Sequence, residues 1–361
     1  MTRVLLACLV AALAPHSATG ISCRDQHNFE VPWFAAYKMP RDVKGDTIGS
    51  EEGTGFYYLD ALDRTSFKPS VVPITEQHQA VGYTLDLYYS NRSNPELLHV
   101  FYNDEPVNVT NASLPETKEE IEWGHTKGFL IFDSSSGTGI WMIHSVPKFP
   151  HPLFYEYPPT GKMYGQTFLC LTLDAKTLAQ LGTALFYNHP WVYSYTLPDW
   201  ARQIAPDLVK VLDGQFNMDA SSPTFHQPLS LAGVSNGPTF EVFAKSHVLY
   251  KDVWESLIAP VVGSIEVETW RRGHLIDINC TSNNVIYDAQ TLKIGKTDEF
   301  KYTKDHSKYA RTIAQNGGKV CIGDMNRMTT QFKRGGGAVC IQDPDLWNAY
   351  SVFRQLPDCP Q

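Results

Sequence analysis

The chain has 361 residues, 43% of them hydrophobic and 19% charged, and this balance excludes an intrinsically disordered or low-complexity protein. Its formal charge of −8 disfavours binding to nucleic acid at neutral pH, because an acidic protein repels phosphates. The 12 histidines remove that objection in an acidic compartment, since an unperturbed histidine becomes charged below pH ~6.5.

Residues 1–20 have the pattern of a secretory signal peptide. Arg3 gives a positive start, an apolar stretch runs from Val4 to Ala14, and small residues precede Ile21. The apolar stretch is much shorter than the ~20 residues that a membrane-spanning helix needs, and no later run reaches that length. We therefore expect a mature protein without a membrane span, lysosomal or secreted.

Strand patterns dominate the mature chain. Stretches rich in aromatic and β-branched residues predict strands at 33–37, 83–89 and 98–102. Helices are expected at 171–184, 197–208 and 247–259. A stretch rich in Pro, Ser and Gly at 221–238 predicts a seam between two halves, which we assign to residues 21–225 and 226–361.

Four Asn-x-Ser/Thr sequons are candidate glycosylation sites, namely Asn91, Asn108, Asn111 and Asn279. Asn108 and Asn111 lie in a polar stretch, residues 103–122, that has the composition of an exposed loop. Such sites fit a protein of the secretory pathway, where glycans attach to surface loops.

Two short segments, His125-Thr126-Lys127 and His306-Ser307-Lys308, have the pattern H-x-K. In an extended segment residues i and i+2 project from the same face, so each segment directs an imidazole and an ammonium toward one point. Histidine can attack phosphorus or transfer a proton, and lysine can hold a phosphate oxygen. One such segment carries little information, but two in similar surroundings predict a phosphate-handling site.

The surroundings of the two segments are indeed similar. Each H-x-K precedes a strand, a glycine-containing turn and a second strand, which predicts a hairpin in each half. The first hairpin ends at His144 and the second in the run from Gly323 to Arg327. The repeat predicts that His144 in one half, and Asp324 and Asn326 in the other, return beside the H-x-K segment as supporting residues.

Six cysteines remain beyond the leader: Cys23, Cys170, Cys280, Cys321, Cys340 and Cys359. An even number in an oxidising compartment predicts disulfides. Only the pair Cys321 and Cys340 has local support, because these residues flank the glycine-rich stretch 334–337. A cysteine metal site is disfavoured, since no C-x-x-C spacing occurs.

Several further motifs identify a family. They are His-Thr-Lys-Gly (125–128), His-Ser-Val-Pro-Lys-Phe-Pro (144–150), Tyr-Gly-Gln-Thr-Phe-Leu-Cys (164–170), Pro-Trp-Val-Tyr (190–193), Asp-His-Ser-Lys (305–308), Gly-Asp-Met-Asn-Arg (323–327) and Arg-Gly-Gly-Gly (334–337). Together they resemble the deoxyribonuclease II family, a branch of the phospholipase D-like superfamily, over nearly the whole mature chain. The superfamily places an aspartate after the lysine with four residues between them, whereas here five residues separate Lys127 from Asp133, and no aspartate follows Lys308 at either spacing.

The resemblance implies a mixed α+β fold of two pseudo-two-fold-related halves, each with a mixed β-sheet flanked by helices and with the active site at their junction. It also implies the disulfides Cys23–Cys170, Cys280–Cys359 and Cys321–Cys340. The implied activity is metal-independent acid hydrolysis of double-stranded DNA to 3′-phosphate and 5′-hydroxyl ends. The DNA would come from engulfed or dying cells.

His125, Lys127, His306 and Lys308 are the expected catalytic residues. By analogy His125 is the nucleophile and His306 the acid and base, although the sequence leaves the order of the two histidines open. Asp305 directly precedes His306, and its negative potential is expected to keep His306 protonated.

Other residues have two possible roles. Arg327 could contact the DNA backbone or form a salt bridge, and the glycines 335–337 could approach a phosphate or form a plain turn. The tryptophans Trp33, Trp123 and Trp141 are expected in the core.

We expect double-stranded DNA as the partner, a monomer, and no cofactor or metal. Two alternatives from other classes are a phosphodiesterase acting on lipid head groups and an inactive, secreted DNA-binding or toxin-like homologue. The first would want an amphipathic membrane-binding helix, and none stands out in the sequence. The intact pair of H-x-K segments argues against the second.

Overall fold

The computed structural model describes residues 20–107, 123–234, 237–313 and 317–357 together with Cys359. The predicted signal peptide up to residue 19, the sequons at Asn108 and Asn111, and the rest of the predicted polar loop to residue 122 lie outside the described residues. Within those ranges, no helix is both long enough and apolar enough to cross a membrane.

The described residues form many short strands and few helices. The strands are β1 (Cys23–Arg24), β2 (Glu30–Val31), β3 (Trp33–Lys38), β4 (Phe56–Asp60), β5 (Lys68–Pro69), β6 (Leu97–Asn103), β7 (Lys127–Asp133), β8 (Thr138–His144), β9 (Gln166–Asp174), β10 (Val192–Thr196), β11 (Thr224–Leu229), β12 (Thr239–Lys245), β13 (Ile265–Glu268), β14 (Ile286–Asp288), β15 (Thr291–Leu292), β16 (Phe300–Lys301), β17 (Tyr309–Thr312), β18 (Lys319–Gly323), β19 (Gly336–Gln342) and β20 (Phe353–Gln355). The helices are α1 (Ala80–Tyr89), α2 (Ala175–Asn188), α3 (Ala201–Ile204), α4 (Pro206–Leu212), α5 (Ala259–Val262) and α6 (Pro344–Ala349).

Two large sheets organise the molecule. The first has eight antiparallel strands in the order β10-β6-β7-β8-β9-β3-β4-β5, and the second has seven in the order β11-β12-β19-β18-β17-β13-β14. In the second sheet β13 and β14 are parallel, whereas the other neighbours are antiparallel. Two small sheets, β1-β2 and β16-β15-β20, complete the set in the described residues. The mixed α+β class is confirmed.

Both predicted hairpins are present. Lys127 is the first residue of β7, which pairs with β8, and Lys308 directly precedes β17, which pairs with β18. The first sheet draws its strands from 33–196 and the second from 224–342. The predicted boundary at 225/226 falls inside β11, and the division into domains stays a prediction.

One apolar core joins the two sheets. Alternate residues of β3 enter different clusters: Trp33, Ala35 and Tyr37 pack with residues of the second sheet such as Val320 and Ile341, with α2 between the sheets. A strand exposes successive side chains on opposite faces, so β3 buries both faces.

Two smaller cores cover the outer faces. Phe34 and Ala36 point away from the second sheet and pack with Val81 and Leu85 of α1. On the outer face of the second sheet, Phe243 packs against Trp254. The central strands of each sheet are therefore covered on both sides, as the buried residues on both faces of β3, β7 and β19 show.

One strand prediction is wrong, because residues 83–89 form the end of α1. Val81, Leu85 and Tyr88 are buried and recur at helical spacing, so burial of one helix face overrides the strand preference of the tyrosines. The Gln79 side chain accepts a hydrogen bond from the Val81 amide and caps the first turn.

The helix predictions are right in location and wrong in their limits. Strand β9 continues to Asp174, whose side chain accepts a bond of 2.8 Å from the Thr177 amide and starts α2 there. The stretch 197–208 contributes to two helices, since α4 begins anew at Pro206. The stretch 247–259 contains a 3-10 turn at His247–Leu249 and a π-helical turn at Trp254–Ile258, before α5. The regular α-helical bonding is interrupted at the π-helical turn, because Pro260 has no N–H to donate to the Ser256 carbonyl.

The structure contains the three disulfides that the resemblance implies. Cys321 and Cys340 lie opposite each other in the β18–β19 register. Cys23 and Cys170 join the first strand of the mature chain to β9, a central strand of the first sheet, and both are fully buried.

Removal of the buried bridge should destabilise the protein most. The Cys23→Ala/Cys170→Ala variant opens a link across 147 residues, and we expect a loss of about 2–5 kcal/mol in the free energy of unfolding, measured by urea denaturation. The matched control is Cys280→Ala/Cys359→Ala, which opens a link across 79 residues near the carboxyl end. An equal or larger loss in the control would contradict this ranking.

Candidate active site

The two H-x-K segments are each fastened to the opposite half of the chain. The His125 amide donates to the carbonyl of Gly335, at 2.9 Å. In the other direction, the Gly165 amide donates to Lys304 and the His306 amide donates to Gly165, at 2.8 and 2.9 Å. These backbone bonds join each segment to the other half, and the two segments lie close enough that Lys308 affects the pKa of His125 and Lys127 affects the pKa of His306.

His125 is held in a defined tautomer. Its Nδ1 lies 2.6 Å from the backbone carbonyl of Asp324, which can only accept, so Nδ1 carries the proton. The Nε2 of the neutral ring then carries a lone pair, which accepts a bond of 3.4 Å from the side-chain NH2 of Asn326. Burial and the neighbouring Lys127 ammonium hold the pKa of His125 well below its usual range. The imidazole is thereby kept neutral and directed.

Asp104 is a site residue that sequence reasoning missed. Its carboxylate pairs with the Lys127 ammonium, accepts a 2.8 Å bond from Arg334, and lies 3.9 Å from Nε2 of His125. Burial tends to raise the pKa of Asp104, but Lys127, His125 and Arg334 outweigh it and hold that pKa far below the usual range. A fixed anion therefore lies among positive groups from both halves of the chain.

His306 lies in an aromatic pocket. Its ring stacks on Tyr164, with centroids 4.4 Å apart and an angle of 12°, and meets Trp270 edge-on at 3.9 Å. Its Nε2 is buried without a hydrogen-bond partner among the described residues. Burial and then Lys308, Lys127, Lys38 and Arg272 lower the pKa of His306 to about 2.

The prediction that Asp305 keeps His306 protonated is wrong for the free protein, because the pKa of His306 is lowered. The Asp305 carboxylate turns away to accept bonds from the Tyr37 hydroxyl, at 2.6 Å, and the Ser307 amide, at 2.9 Å. Adjacent residues of an extended segment project to opposite sides, which accounts for the orientation. Burial also raises the pKa of Asp305 and so weakens its negative charge.

Lys308 and Asp324 form a second buried group. The Lys308 ammonium donates to the His306 carbonyl. Burial and the nearby Lys127 lower the pKa of Lys308 to about 7. Burial raises the pKa of Asp324 to about 8, although Lys127 and Lys308 oppose the rise, and its Oδ1 has no partner among the described residues. Both groups change charge near neutral pH.

Asn326 lies beside His125, and His144 is close enough to Lys127 to be affected by its charge, whereas their supporting roles stay predictions. His144 is buried among Phe129, Phe149 and Phe168, and its Nδ1 accepts a bond of 3.2 Å from the Val146 amide. Burial and Lys127 lower the pKa of His144 to about 3, so its ring is neutral. The Oδ1 of Asn326 is buried without a partner in the described part of the chain and remains available to a ligand.

Two other candidates lie outside the site. Asp133 is at the end of β7 remote from Lys127, where it accepts bonds from Ser135 and Ser136 of the hairpin turn. Arg327 is a buried salt-bridge residue, since its guanidinium pairs with Asp288 and Asp252. Both side chains are thus used in contacts that stabilise the fold.

The glycines 335–337 permit close packing of protein backbone. A Cβ at Gly335 would lie 2.4 Å from the Asn188 carbonyl, and one at Gly337 would lie 2.0 Å from that of Phe243. Of the three tryptophans, Trp33 and Trp141 are buried in the core as predicted, whereas Trp123 is only half-buried and stacks on Trp191.

The predicted glycosylation sites that the structure describes are both exposed. Asn91 lies in the turn after α1, and Asn279 precedes Cys280 in a loop. Their occupancy stays a prediction. In the described ranges, no group of three or more His, Cys, Asp or Glu side chains could hold a metal ion.

The arrangement of two sheets, each bearing an H-x-K segment at a common site, is consistent with a phospholipase D-like fold. The sequence matches the family model Deoxyribonuclease II over residues 22–359. It is 39% identical to Deoxyribonuclease-2 of Caenorhabditis elegans, covering 94% of each chain, and 34% identical to Plancitoxin-1 of Acanthaster planci, covering 97% of this chain and 95% of the relative. Deoxyribonuclease-2-alpha of Mus musculus is 32% identical, with 97% of each chain covered. The chain belongs to the deoxyribonuclease II family.

The raised pKa of Asp324 should make stability depend on pH. An unfolded aspartate titrates near ~3.9, so the stability from this group is full below that pH and is lost as pH rises through about 8. Asp324→Asn lacks this loss. The difference in free energy of unfolding between the variant and the wild type should therefore increase from pH 5 to pH 8, by up to about 1 kcal/mol per pH unit.

Urea denaturation at pH 5, 6, 7 and 8 measures that difference. The matched control is Asp199→Asn, which changes an exposed aspartate before α3 and should shift stability equally at every pH. A difference for Asp324→Asn that stays constant with pH would contradict the raised pKa.

Proposed function

We propose that this protein hydrolyses the phosphodiester bonds of double-stranded DNA at acidic pH without a metal ion, through a phosphohistidine on His125. The observation that carries the proposal is the pairing of two buried H-x-K segments, one of which holds a neutral histidine with an unprotonated Nε2 beside cationic groups. Family membership supports DNA as the substrate, since several relatives are named deoxyribonucleases.

The first step forms the covalent intermediate. The Nε2 lone pair of His125 attacks phosphorus, the P–O5′ bond breaks, and the 5′-oxygen takes a proton from His306. The bond from Nδ1 to the Asp324 carbonyl stabilises the positive charge that develops on the ring of His125. Lys127, Lys308 and the side chain of Asn326 stabilise the negative charge on the non-bridging oxygens.

Protonation of His306 has to accompany substrate binding. Its pKa of about 2 reflects burial and the positive groups around it, Lys308, Lys127, Lys38 and Arg272. A bound phosphodiester brings a negative charge next to Nε2, which favours the imidazolium and raises that pKa. The enzyme therefore acquires its acid when the substrate neutralises the lysines.

The second step releases the enzyme. His306, now neutral, takes a proton from a water molecule as that water attacks phosphorus. The bond between phosphorus and Nε2 of His125 breaks, and His125 is restored. The products carry a 3′-phosphate and a 5′-hydroxyl.

The titrations of Lys308 and Asp324 restrict the proposed activity to acidic pH. Lys308 loses its positive charge near pH 7, and Asp324 gains a negative charge near pH 8. Both changes remove positive charge from the site that must hold a phosphate, so activity falls as pH rises through this range. The disulfides and the formal charge of −8 fit an oxidising, acidic compartment, and we place the protein in the lysosome or outside the cell. DNA from engulfed or dying cells would be its substrate there.

We expect the wild-type protein to nick plasmid DNA at pH 5 in excess EDTA and to lose most of this activity at pH 8. His125→Ala and His306→Ala should each lower the rate by roughly 10²–10⁴-fold or more, because each removes a group that acts directly in bond cleavage. The control is His27→Ala, which changes an exposed histidine before β2. Loss of activity in EDTA with rescue by Mg²⁺, or equal rates at pH 5 and pH 8, would refute the proposal.

The order of the two histidines can be tested with thymidine 3′-(p-nitrophenyl phosphate). Its leaving group departs without an acid, so His306→Ala should form the adduct on His125 and then hydrolyse it slowly. We expect a burst of about one nitrophenol per protein molecule and, by mass spectrometry under alkaline conditions, a thymidylyl group on the peptide that contains His125. A group found on another residue would reverse or refute the assignment, and His125→Ala should give no burst.

A further inference from the structure

We propose that Arg272, held on the faces of Trp270 and Tyr164, binds the DNA phosphate that follows the cleaved one on the side of the leaving 5′-oxygen. This inference rests on the proposed function and adds a specific contact to it. It assigns the substrate strand a direction across the site, from His125 toward Arg272.

The guanidinium of Arg272 is fixed close to His306. It lies 4.3 Å from the Trp270 ring and 5.6 Å from the Tyr164 ring, and both rings contact the imidazole of His306. The thickness of a single aromatic side chain, Trp270 or Tyr164, therefore lies between the guanidinium and the imidazole of the proposed acid. A bond of 3.0 Å to the Thr303 carbonyl fixes the guanidinium further.

The support beneath Arg272 is rigid. Tyr164 belongs to the first half and Trp270 to the second, and the two rings meet at 4.5 Å. The carbonyl of Tyr164 accepts a bond from the Lys38 ammonium, and the Gly165 amide donates to Lys304. Elements of both halves thus hold the aromatic surface on which the guanidinium lies.

Arg272 has spare binding capacity, in contrast to its neighbour. Arg271 is buried and lies near two carboxylates, Glu268 at 3.8 Å and Asp288 at 3.7 Å. Arg272 is exposed and forms no ion pair among the described residues. A guanidinium has five donors in a planar fork that matches a phosphate, and only one of its bonds is used here.

The position determines which phosphate is bound. In the proposed reaction His306 protonates the 5′-oxygen, so the nucleoside that leaves lies on the side of His306. The next phosphate along the strand is attached to the 3′-oxygen of that nucleoside. Arg272 is an exposed cation next to His306 that forms no ion pair among the described residues, and the adjacent aromatic faces can stack on the leaving nucleoside.

The test uses three thymidine dinucleotides with one cleavable bond: TpT, TpTp with a 3′-terminal phosphate, and pTpT with a 5′-terminal phosphate. In the wild type at pH 5, kcat/KM for TpTp should exceed that for TpT by roughly 10-fold or more, as expected for a charged hydrogen bond. Arg272→Gln should bring this ratio to about one, and Arg272→Lys should restore part of it. The ratio of pTpT to TpT should be the same in all three proteins.

The matched control is Arg202→Gln, which changes another exposed arginine. Arg202 lies on α3 next to Trp200, whose indole donates to the carbonyl of Glu96. Glu96 precedes the start of β6, whereas the residue that pairs with Lys127 of the site, Asn103, is at the other end of that strand. The Arg202→Gln variant should keep the full preference for TpTp over TpT. An unchanged TpTp ratio in Arg272→Gln, or an equal loss in Arg202→Gln, would overturn the inference while cleavage of DNA by the wild type still upholds the proposed function.

A binding measurement covers the case in which dinucleotides are not cleaved. Fluorescence anisotropy of a labelled duplex with His125→Ala as the parent gives the salt dependence of Kd without turnover. Adding Arg272→Gln should reduce the slope of log Kd against log salt concentration by about 0.9, the value for one lost phosphate contact. A slope equal to that of the Arg202→Gln control would also overturn the inference.

Discussion

The candidate active site depends on burying several positive groups close together at the junction of two sheets. Lys38, Lys127 and Lys308 are almost inaccessible to solvent, and Arg334 reaches the same region. Buried ammonium groups are stable only when anions or hydrogen-bond acceptors face them. In the free protein, Asp104 bridges Lys127 and Arg334, and backbone carbonyls accept from Lys38 and Lys308. A phosphodiester supplies the further anion that this arrangement can accommodate.

The two histidines of the candidate site share this positive surrounding but are held in different ways. Both have lowered pKa values, but they differ in hydrogen bonding. His125 has a fixed tautomer through the Asp324 carbonyl, whereas the Nε2 of His306 has no partner among the described residues and lies against aromatic rings. In the proposed mechanism these differences suit His125 to act as the nucleophile and His306 to change protonation state as the phosphodiester binds and leaves.

The parts of the structure that local pattern determines could be predicted from the sequence. The two H-x-K hairpins, strands β3 and β6 and the mixed α+β class follow from spacing and residue type, and the family resemblance supplied the disulfide pairing. The α1 helix was mistaken for a strand, because burial of Val81, Leu85 and Tyr88 on one face decided the conformation against the preference of the tyrosines.

Contacts between distant segments could not be predicted in the same way. Asp104 lies only one residue beyond a strand, in a stretch interpreted as an exposed loop, and its importance comes from pairing with Lys127 and with Arg334, 230 residues away. A polar residue directly after an apolar strand was the available signal. The failure of Asp305 to support His306 has a similar cause, since its partner Tyr37 is 268 residues away in the sequence.

The shared core between the sheets has a consequence for how a duplex can enter the site. The rings of Trp33 and Phe240 lie 6.1 Å apart and those of Tyr37 and Tyr309 lie 6.2 Å apart, so the two halves are joined by a buried apolar interior of the kind found within single domains. Such interiors are close-packed and resist hinge opening, because separating them would expose the whole core to water. We therefore expect the relative position of the two halves, and with it the geometry of the candidate site, to change little when a duplex binds. Adaptation then falls to the nucleic acid, whose resistance to bending and groove distortion varies from step to step along its length. An enzyme without any contact to base edges could in this way cut some sequences faster than others.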